Sequence, residues 1–182
     1  MNLYFSAGEN PMNRRGHSVF RLLHLEVAGR SDLLPKRLRG AEVGAMLTYG
    51  AVRQARSWFG YTYGDPDDSV RAETLSAFIR KGFGTSSVVR PYADIGTGIM
   101  WSNRRIPAAT SRLNVDSQLS LGVMAFPKSR APIRIGYRFS HISNGGTTGR
   151  NPGLNVSSVF LGVQLQKLGA PPVAALQQNQ DQ

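Results

Sequence analysis

Apolar residues recur at every second position in separate segments of this chain, and this alternation constrains the fold more than any other feature. A period of two is the period of a β-strand that has one face in an apolar environment. Eight segments show it with differing clarity, and turn-forming residues separate them. The segments are 17–28, 40–51, 55–64, 72–83, 89–102, 113–126, 132–143 and 154–166. An even count near eight predicts an all-β chain that closes into a small, eight-stranded antiparallel barrel.

Segment 72–83 fits the strand pattern least well. It contains Glu73, Leu75 and Ala77, which are residue types that favour helices. A short helix is therefore the alternative to a strand in this part of the chain.

The chain is predicted to form one domain followed by a tail. Residues 1–166 contain all the predicted strands and form the barrel domain, whereas residues 167–182 contain two prolines and a Gln-rich end that favour a flexible polar tail. Residues 1–10 show no basic stretch followed by an apolar one, so we predict that no signal peptide is present in this chain.

Periodicity alone does not distinguish a soluble barrel from a membrane barrel. A soluble barrel buries its apolar face, whereas a membrane barrel turns that face toward lipid and keeps polar side chains in its lumen. In segment 132–143, Ile135 and Tyr137 alternate with Arg134 and Arg138, and these arginines suit either a solvated exterior or a polar lumen. The alternation therefore leaves both kinds of barrel open.

The composition narrows the choice of function. The chain has 22 Lys and Arg against 11 Asp and Glu, a formal net charge of +11, which suits either nucleic acid or the phosphates of a membrane surface. A soluble basic barrel that binds nucleic acid or a small lipid is one hypothesis. The absence of Cys excludes disulfides and thiolate chemistry. The scattered His17 and His24 make a weak case for a metal, so we predict neither a metal nor another cofactor.

The last two predicted strands contain the candidate catalytic residues. His141 and Ser143 continue the apolar face of segment 132–143, because side chains two residues apart on a strand share a face. Asn155 is in phase with the apolar face of segment 154–166. If the two strands pair with these faces together, Asn155 lies opposite His141 or opposite Ser143.

A base, a hydroxyl and an amide would then meet at the edge of the barrel, which is the arrangement of an activated serine with a third group that orients the imidazole. The simpler alternative is that His141 is a rim residue and Ser143 begins an ordinary loop.

The sequence around these residues resembles a known family. The residues that carry the resemblance are Tyr-Arg-Phe-Ser-His-Ile-Ser-Asn-Gly-Gly at 137–146 and Asn-Pro-Gly at 151–153, with a weaker similarity at Pro91 to Gly98. They are similar to the lipid A 3-O-deacylase (PagL-type) family of eight-stranded outer-membrane barrels, which hydrolyse the 3-O-linked acyl ester of lipid A. The resemblance therefore implies a membrane barrel and a carboxylic ester hydrolase located in the outer membrane.

The same resemblance implies a role for each site residue. Ser143 would be the nucleophile and His141 the general base, while Asn151 and the backbone N–H of Gly145 would bind the oxyanion. The implied partners are lipid A, as part of lipopolysaccharide, and the surrounding outer-membrane lipid, rather than nucleic acid.

Asn155 is the main departure from the family pattern, which has a Glu as the third member of the triad. An amide oxygen can accept a hydrogen bond from the imidazole and fix its tautomer, but it cannot offset the positive charge that develops on His141. Asp116 lies one strand away, and its parity places it on the opposite face. We therefore expect either a slow hydrolase or a barrel of the same family that has no activity.

Overall fold

The structure is a computed structural model, and its described residues are 2–9, 19–31, 33–53, 57–58, 61–62, 69–106, 110–149, 151 and 153–167. In chain order the strands are β1 (Asn2–Glu9), β2 (Val19–Arg30), β3 (Glu42–Arg53), β4 (Ser57–Trp58), β5 (Tyr61–Thr62), β6 (Ser69–Gly82), β7 (Val89–Ser102), β8 (Leu113–Ala125), β9 (Ile133–Ser143) and β10 (Leu154–Lys167). Eight of them form a closed antiparallel barrel in the order β1-β10-β9-β8-β7-β6-β3-β2, and β4 pairs with β5 separately. The predicted fold class is confirmed.

Two strand assignments from the sequence were wrong, although the total of eight barrel strands was right. Segment 55–64 was predicted to be a barrel strand, but its described residues, 57–58 and 61–62, form the β4–β5 pair outside the barrel sheet. Its place in the wall is taken by β1, which closes the barrel between β10 and β2. The alternation in β1 is short, because only Leu3, Phe5 and Ala7 represent its apolar face, and so it gave little signal.

Segment 72–83 is a strand and not a helix. It belongs to β6, which pairs with β3 and β7 along most of its length. Leu75 points outward and is 55% exposed, whereas Thr74 and Ser76 are buried inside. Two paired neighbours and this inside–outside alternation override the helical preference of the residue types.

The apolar face of the barrel wall points outward. Ile95, Leu121 and Leu161 are 64%, 57% and 59% exposed, while Arg134 and Glu26 inside the barrel are 0% exposed. A soluble barrel would have the opposite arrangement, and the inverted one is typical of a barrel in a membrane. Among the described residues, no helix is long and apolar enough to cross a bilayer.

The strand connections define two ends of the barrel. We call the end with the β1–β2, β3–β6, β7–β8 and β9–β10 connections the loop end. We call the opposite end, where β1 begins, β10 ends and the other three connections lie, the turn end. A 3₁₀ turn at Lys36–Leu38 lies at the turn end, in the β2–β3 connection.

Side chains fill the lumen differently toward the two ends. Toward the loop end, apolar side chains such as Phe20, Ile106 and Ile142 form a buried cluster. Toward the turn end, Glu26 accepts hydrogen bonds from Arg80 at 2.7 Å and from Arg134 at 2.9 Å. Burying a charge is tolerated when it is paired, so these ion pairs stabilise a polar interior.

Candidate functional site

His141 and Asn155 contact each other on the outer wall near the loop end. The register of β9 and β10 pairs them directly, which is the first of the two arrangements that the alternation allowed. His141 Nδ1 and Asn155 Oδ1 are 2.7 Å apart. Both residues are exposed. The two side chains therefore form a hydrogen-bonded pair on the apolar side of the sheet, at its rim.

This hydrogen bond determines which ring nitrogen of His141 carries the proton. An amide oxygen only accepts hydrogen bonds, so the Nδ1 atom must be the donor. The Nε2 atom of the neutral ring then has a free lone pair and can act as a base. Ser143, the last residue of β9, lies two positions further along the same strand face and is half-buried.

Hydrogen bonds fix the loop that follows Ser143. The Asn144 N–H donates to Asn151 Oδ1 at 3.1 Å, and the Gly146 N–H donates to Asn144 Oδ1 at 2.9 Å. Gly145 and Gly146 have φ values of 63° and 78°, a conformation that favours glycine. Asn151 is thus held next to the end of β9 through the backbone of Asn144, and the N–H of Gly145 lies one residue beyond.

Gly153 is a site residue that sequence reasoning did not single out. An added Cβ atom on Gly153 would lie 2.9 Å from Cε1 and 3.5 Å from Nε2 of His141, and the φ of 64° also favours glycine. The imidazole therefore packs directly on the Gly153 backbone. Gly153 was noted in the sequence only as the last residue of the Asn-Pro-Gly string, and that string does not indicate a contact with His141.

Asp116 does not contribute its carboxyl group to the His141–Asn155 pair. It pairs with Ile142 in the register of β8 and β9, and its side chain is buried inside the barrel. There its Oδ2 accepts a hydrogen bond from Gln118 at 2.7 Å. The strand wall separates this carboxyl group from the outward-facing imidazole, so the parity argument from the sequence is confirmed.

An open groove of about 790 Å³ begins at His141 and crosses the outer wall. The register aligns Ser117, Thr97 and Ala77 with His141 on successive strands. Larger apolar side chains form a parallel row beside these small ones. They are Phe139, Leu119, Ile95, Ile79 and Val43. The row of larger side chains forms one wall of the groove, and the small side chains form its floor.

The fold and the site together define a membrane-type β-barrel that carries a histidine–amide pair beside a serine on its outer wall. A family model described as lipid A 3-O-deacylase (PagL) matches residues 40–164, which is more than half of the chain. The chain therefore belongs to this family, as the resemblance at residues 137–153 predicted.

A solved structure confirms the fold independently. The crystal structure of the outer membrane enzyme PagL is similar to this chain with a TM-score of 0.58 and 16% sequence identity, and the match covers 87% of this chain and 97% of that chain. No curated protein matches the chain.

Proposed function

We propose that this protein is an outer-membrane esterase that hydrolyses the 3-O-linked acyl chain of lipid A. Membership of the deacylase family and the outward apolar wall support this proposal. The observation that carries it is the 2.7 Å contact between His141 and Asn155, on the strand face that also bears Ser143. The outward apolar wall argues against the soluble, nucleic-acid-binding alternative, and the partners of this barrel are lipid A and the surrounding lipid.

The reaction proceeds in two steps. Ser143 Oγ attacks the ester carbonyl carbon and its proton passes to His141 Nε2, after which the bond to the sugar oxygen breaks and that oxygen leaves with the proton. Water then attacks the acyl-serine ester and gives its proton to the same nitrogen. The proton returns to Ser143 as the fatty acid departs, so the enzyme is regenerated.

The loop after Ser143 stabilises the oxyanion in both steps. The Gly145 N–H and the Asn151 side chain are the proposed donors, because the hydrogen bond between Asn144 and Asn151 holds this loop against the end of β9. A donor of this kind contributes about 10²–10³ in rate.

The amide of Asn155 limits the rate. It holds the imidazole in the correct tautomer, but it does not balance the charge of the imidazolium in the transition state. We therefore propose a weakened hydrolase. The second candidate is a barrel of the same family without catalytic activity, and the neutral side chain at this position is the observation that favours it.

The proposal is tested by mixing the detergent-solubilised protein with lipopolysaccharide and measuring released 3-hydroxy fatty acid by mass spectrometry. We expect slow release that is proportional to protein concentration. If no fatty acid is released even after Asn155→Glu, the proposed esterase activity is wrong and the non-catalytic barrel is the better description.

Gly153→Ala is expected to slow hydrolysis by about 10²-fold, because the new methyl group displaces the imidazole and misplacement of a catalytic group by about 1 Å costs a factor of this size. The rate is measured with a soluble short-chain ester. Gly149→Ala is the matched control, since an added Cβ atom there meets nothing within 4 Å. Equal rates in the two variants would show that Gly153 does not position His141.

Ala77→Trp is expected to change the preference for acyl-chain length. Ala77 lies three strands from His141, about 14 Å along the groove, so a bulky ring there obstructs long acyl chains and leaves short ones unaffected. We expect about a tenfold fall in the ratio of tetradecanoyl to butyryl ester hydrolysis. Ala51→Trp, on the outer wall away from this groove, serves as the control. An unchanged ratio in Ala77→Trp would mean that the acyl chain lies elsewhere.

A further inference from the structure

The turn end of the barrel contains a second cavity, separate from the candidate esterase site. It is an open vestibule of about 540 Å³. Its polar lining includes Arg30, Glu42, Arg80, Arg90 and Gln164. In the described part of the chain, the buried ion cluster around Glu26 and the apolar cluster at the loop end lie between this vestibule and the opposite rim, so the vestibule opens at the turn end.

Several residues that line this vestibule have buried hydrogen-bond donors without a partner. Among the described residues, Arg80 Nη1, Arg90 Nε and Gln164 Nε2 have no hydrogen-bond partner. Arg80 and Gln164 are each only 3% exposed. A buried donor without an acceptor costs free energy, so donors that converge on one cavity indicate a ligand rich in acceptor atoms.

The local geometry directs Arg90 toward this cavity. An added Cβ atom on Gly82 would lie 3.1 Å from Cδ of Arg90, so the arginine stem extends across the bare backbone of the neighbouring strand. Arg80 donates to Asp94 at 3.1 Å and to Glu26 at 2.7 Å on its inner side. These carboxylates hold the Arg80 guanidinium in place, and its Nη1 atom lies 4.0 Å from Glu42, which also lines the vestibule.

The charge around the vestibule favours an anion. In the buried cluster Glu26 and Asp94 face Arg80, Arg134 and Arg138, so the cluster adds no net negative charge. On the vestibule lining itself, Arg30 and Arg90 exceed the carboxylate of Glu42. The exposed turns around the same mouth add further cations. They are Lys36, Arg37, Arg39, Lys128 and Arg130. A basic rim above a cavity of unpaired donors attracts an anion and then binds it.

We propose that this vestibule binds the phosphate group of an anionic ligand. A phosphate offers several acceptor oxygens in different directions, which matches donors from three strands, and arginine is a preferred partner for it. The phosphate belongs to an anionic phospholipid headgroup or to a soluble compound. In an outer-membrane barrel the end with the shorter connections, here the turn end, faces the periplasm.

The test is calorimetry on the full chain in nonionic detergent, with inorganic phosphate, a soluble short-chain phosphatidylglycerol and the matching phosphatidylcholine as probes. We expect saturable binding of phosphate or phosphatidylglycerol that weakens with added salt, and no binding of phosphatidylcholine. Binding of phosphatidylglycerol alone identifies a headgroup site, and comparable binding of phosphate identifies a site for the free group.

Arg90→Gln is expected to weaken binding about tenfold, because it removes one charged hydrogen bond without breaking the buried ion cluster. Arg53→Gln removes the same charge at the loop end and should leave binding unchanged, which separates a specific site from the general attraction of a basic protein. The proposal is overturned if neither phosphate nor phosphatidylglycerol shows saturable binding, or if phosphatidylcholine binds as well as these anions. It is also overturned if both variants weaken binding to the same extent.

Discussion

Replacing Asn155 by Glu is expected to raise the rate of lipid A deacylation by about 10²-fold. The carboxylate would keep the hydrogen bond to His141 Nδ1, now 2.7 Å from the amide oxygen, and would add a negative charge beside the imidazolium of the transition state. In a serine protease the reverse change, Asp→Asn, lowers turnover about 10⁴-fold. We expect a smaller effect here for two reasons. The protease loss is attributed to the wrong imidazole tautomer, which the Asn155 oxygen avoids, and this pair is exposed at the rim, where solvent weakens charge interactions.

The matched control is Asn155→Gln, which has the length of Glu without its charge. We expect its rate to stay at or below the parent rate. The higher rate of Asn155→Glu is then assigned to the charge of Glu and not to the length of its side chain. Fatty acid release from lipopolysaccharide is measured for the three proteins under one set of conditions. If Glu and Gln give the same rate, the charge on His141 does not limit the reaction and our explanation of the weak site is wrong.

Removing the Ser143 hydroxyl is expected to lower the rate by at least about 10³-fold. Loss of the nucleophile leaves only the oxyanion donors and substrate binding, as in serine proteases whose catalytic serine is removed. The measurement is best made with Ser143→Ala in the Asn155→Glu background, where the higher rate makes a large loss visible. Ser143 ends β9 and is half-buried, so the alanine variant should fold as the parent does.

Ser87→Ala in the same background is the control, because Ser87 is an exposed turn residue at the opposite end of the barrel. We expect its rate to be unchanged. Activity retained in Ser143→Ala would exclude the acyl-serine step, even if the chain remains a deacylase. Activity absent from every variant would instead support the non-catalytic barrel.

The candidate esterase site and the proposed phosphate vestibule occupy opposite ends of one rigid wall. The first depends on outward-facing side chains near the loop end, and the second on lumen-facing side chains near the turn end. Arg134, Glu26 and Arg138 fill the lumen between them. Variants at one end should therefore leave the other unaffected, and each proposal can fail without the other.

Much of the barrel could be predicted from the period-two alternation. The alternation was clearest in β9, where large apolar residues such as Ile135 and Tyr137 alternate with Arg134, Gly136 and Arg138. The same rule failed for β1, whose apolar face is too short to stand out. It also failed at 55–64, where apolar residues alternate although the described residues pair outside the barrel sheet.

The candidate site was also predicted from the sequence in part. The alternation placed His141, Ser143 and Asn155 on one face, because a strand fixes the side of every residue relative to its neighbours. It left two registers for Asn155, since both keep the apolar faces together. The tertiary structure selects the one with the direct hydrogen bond to His141.

The sequence by itself determined the class of fold, the face on which each site residue lies and the neutral amide at Asn155. These properties follow from local periodicity and from residue identity. Only the tertiary structure decided that the apolar face points outward, that Gly153 supports the imidazole and that Arg80, Arg90 and Gln164 line one vestibule. Those properties depend on contacts between strands that are distant in the chain, and alternation within a single strand carries no information about them.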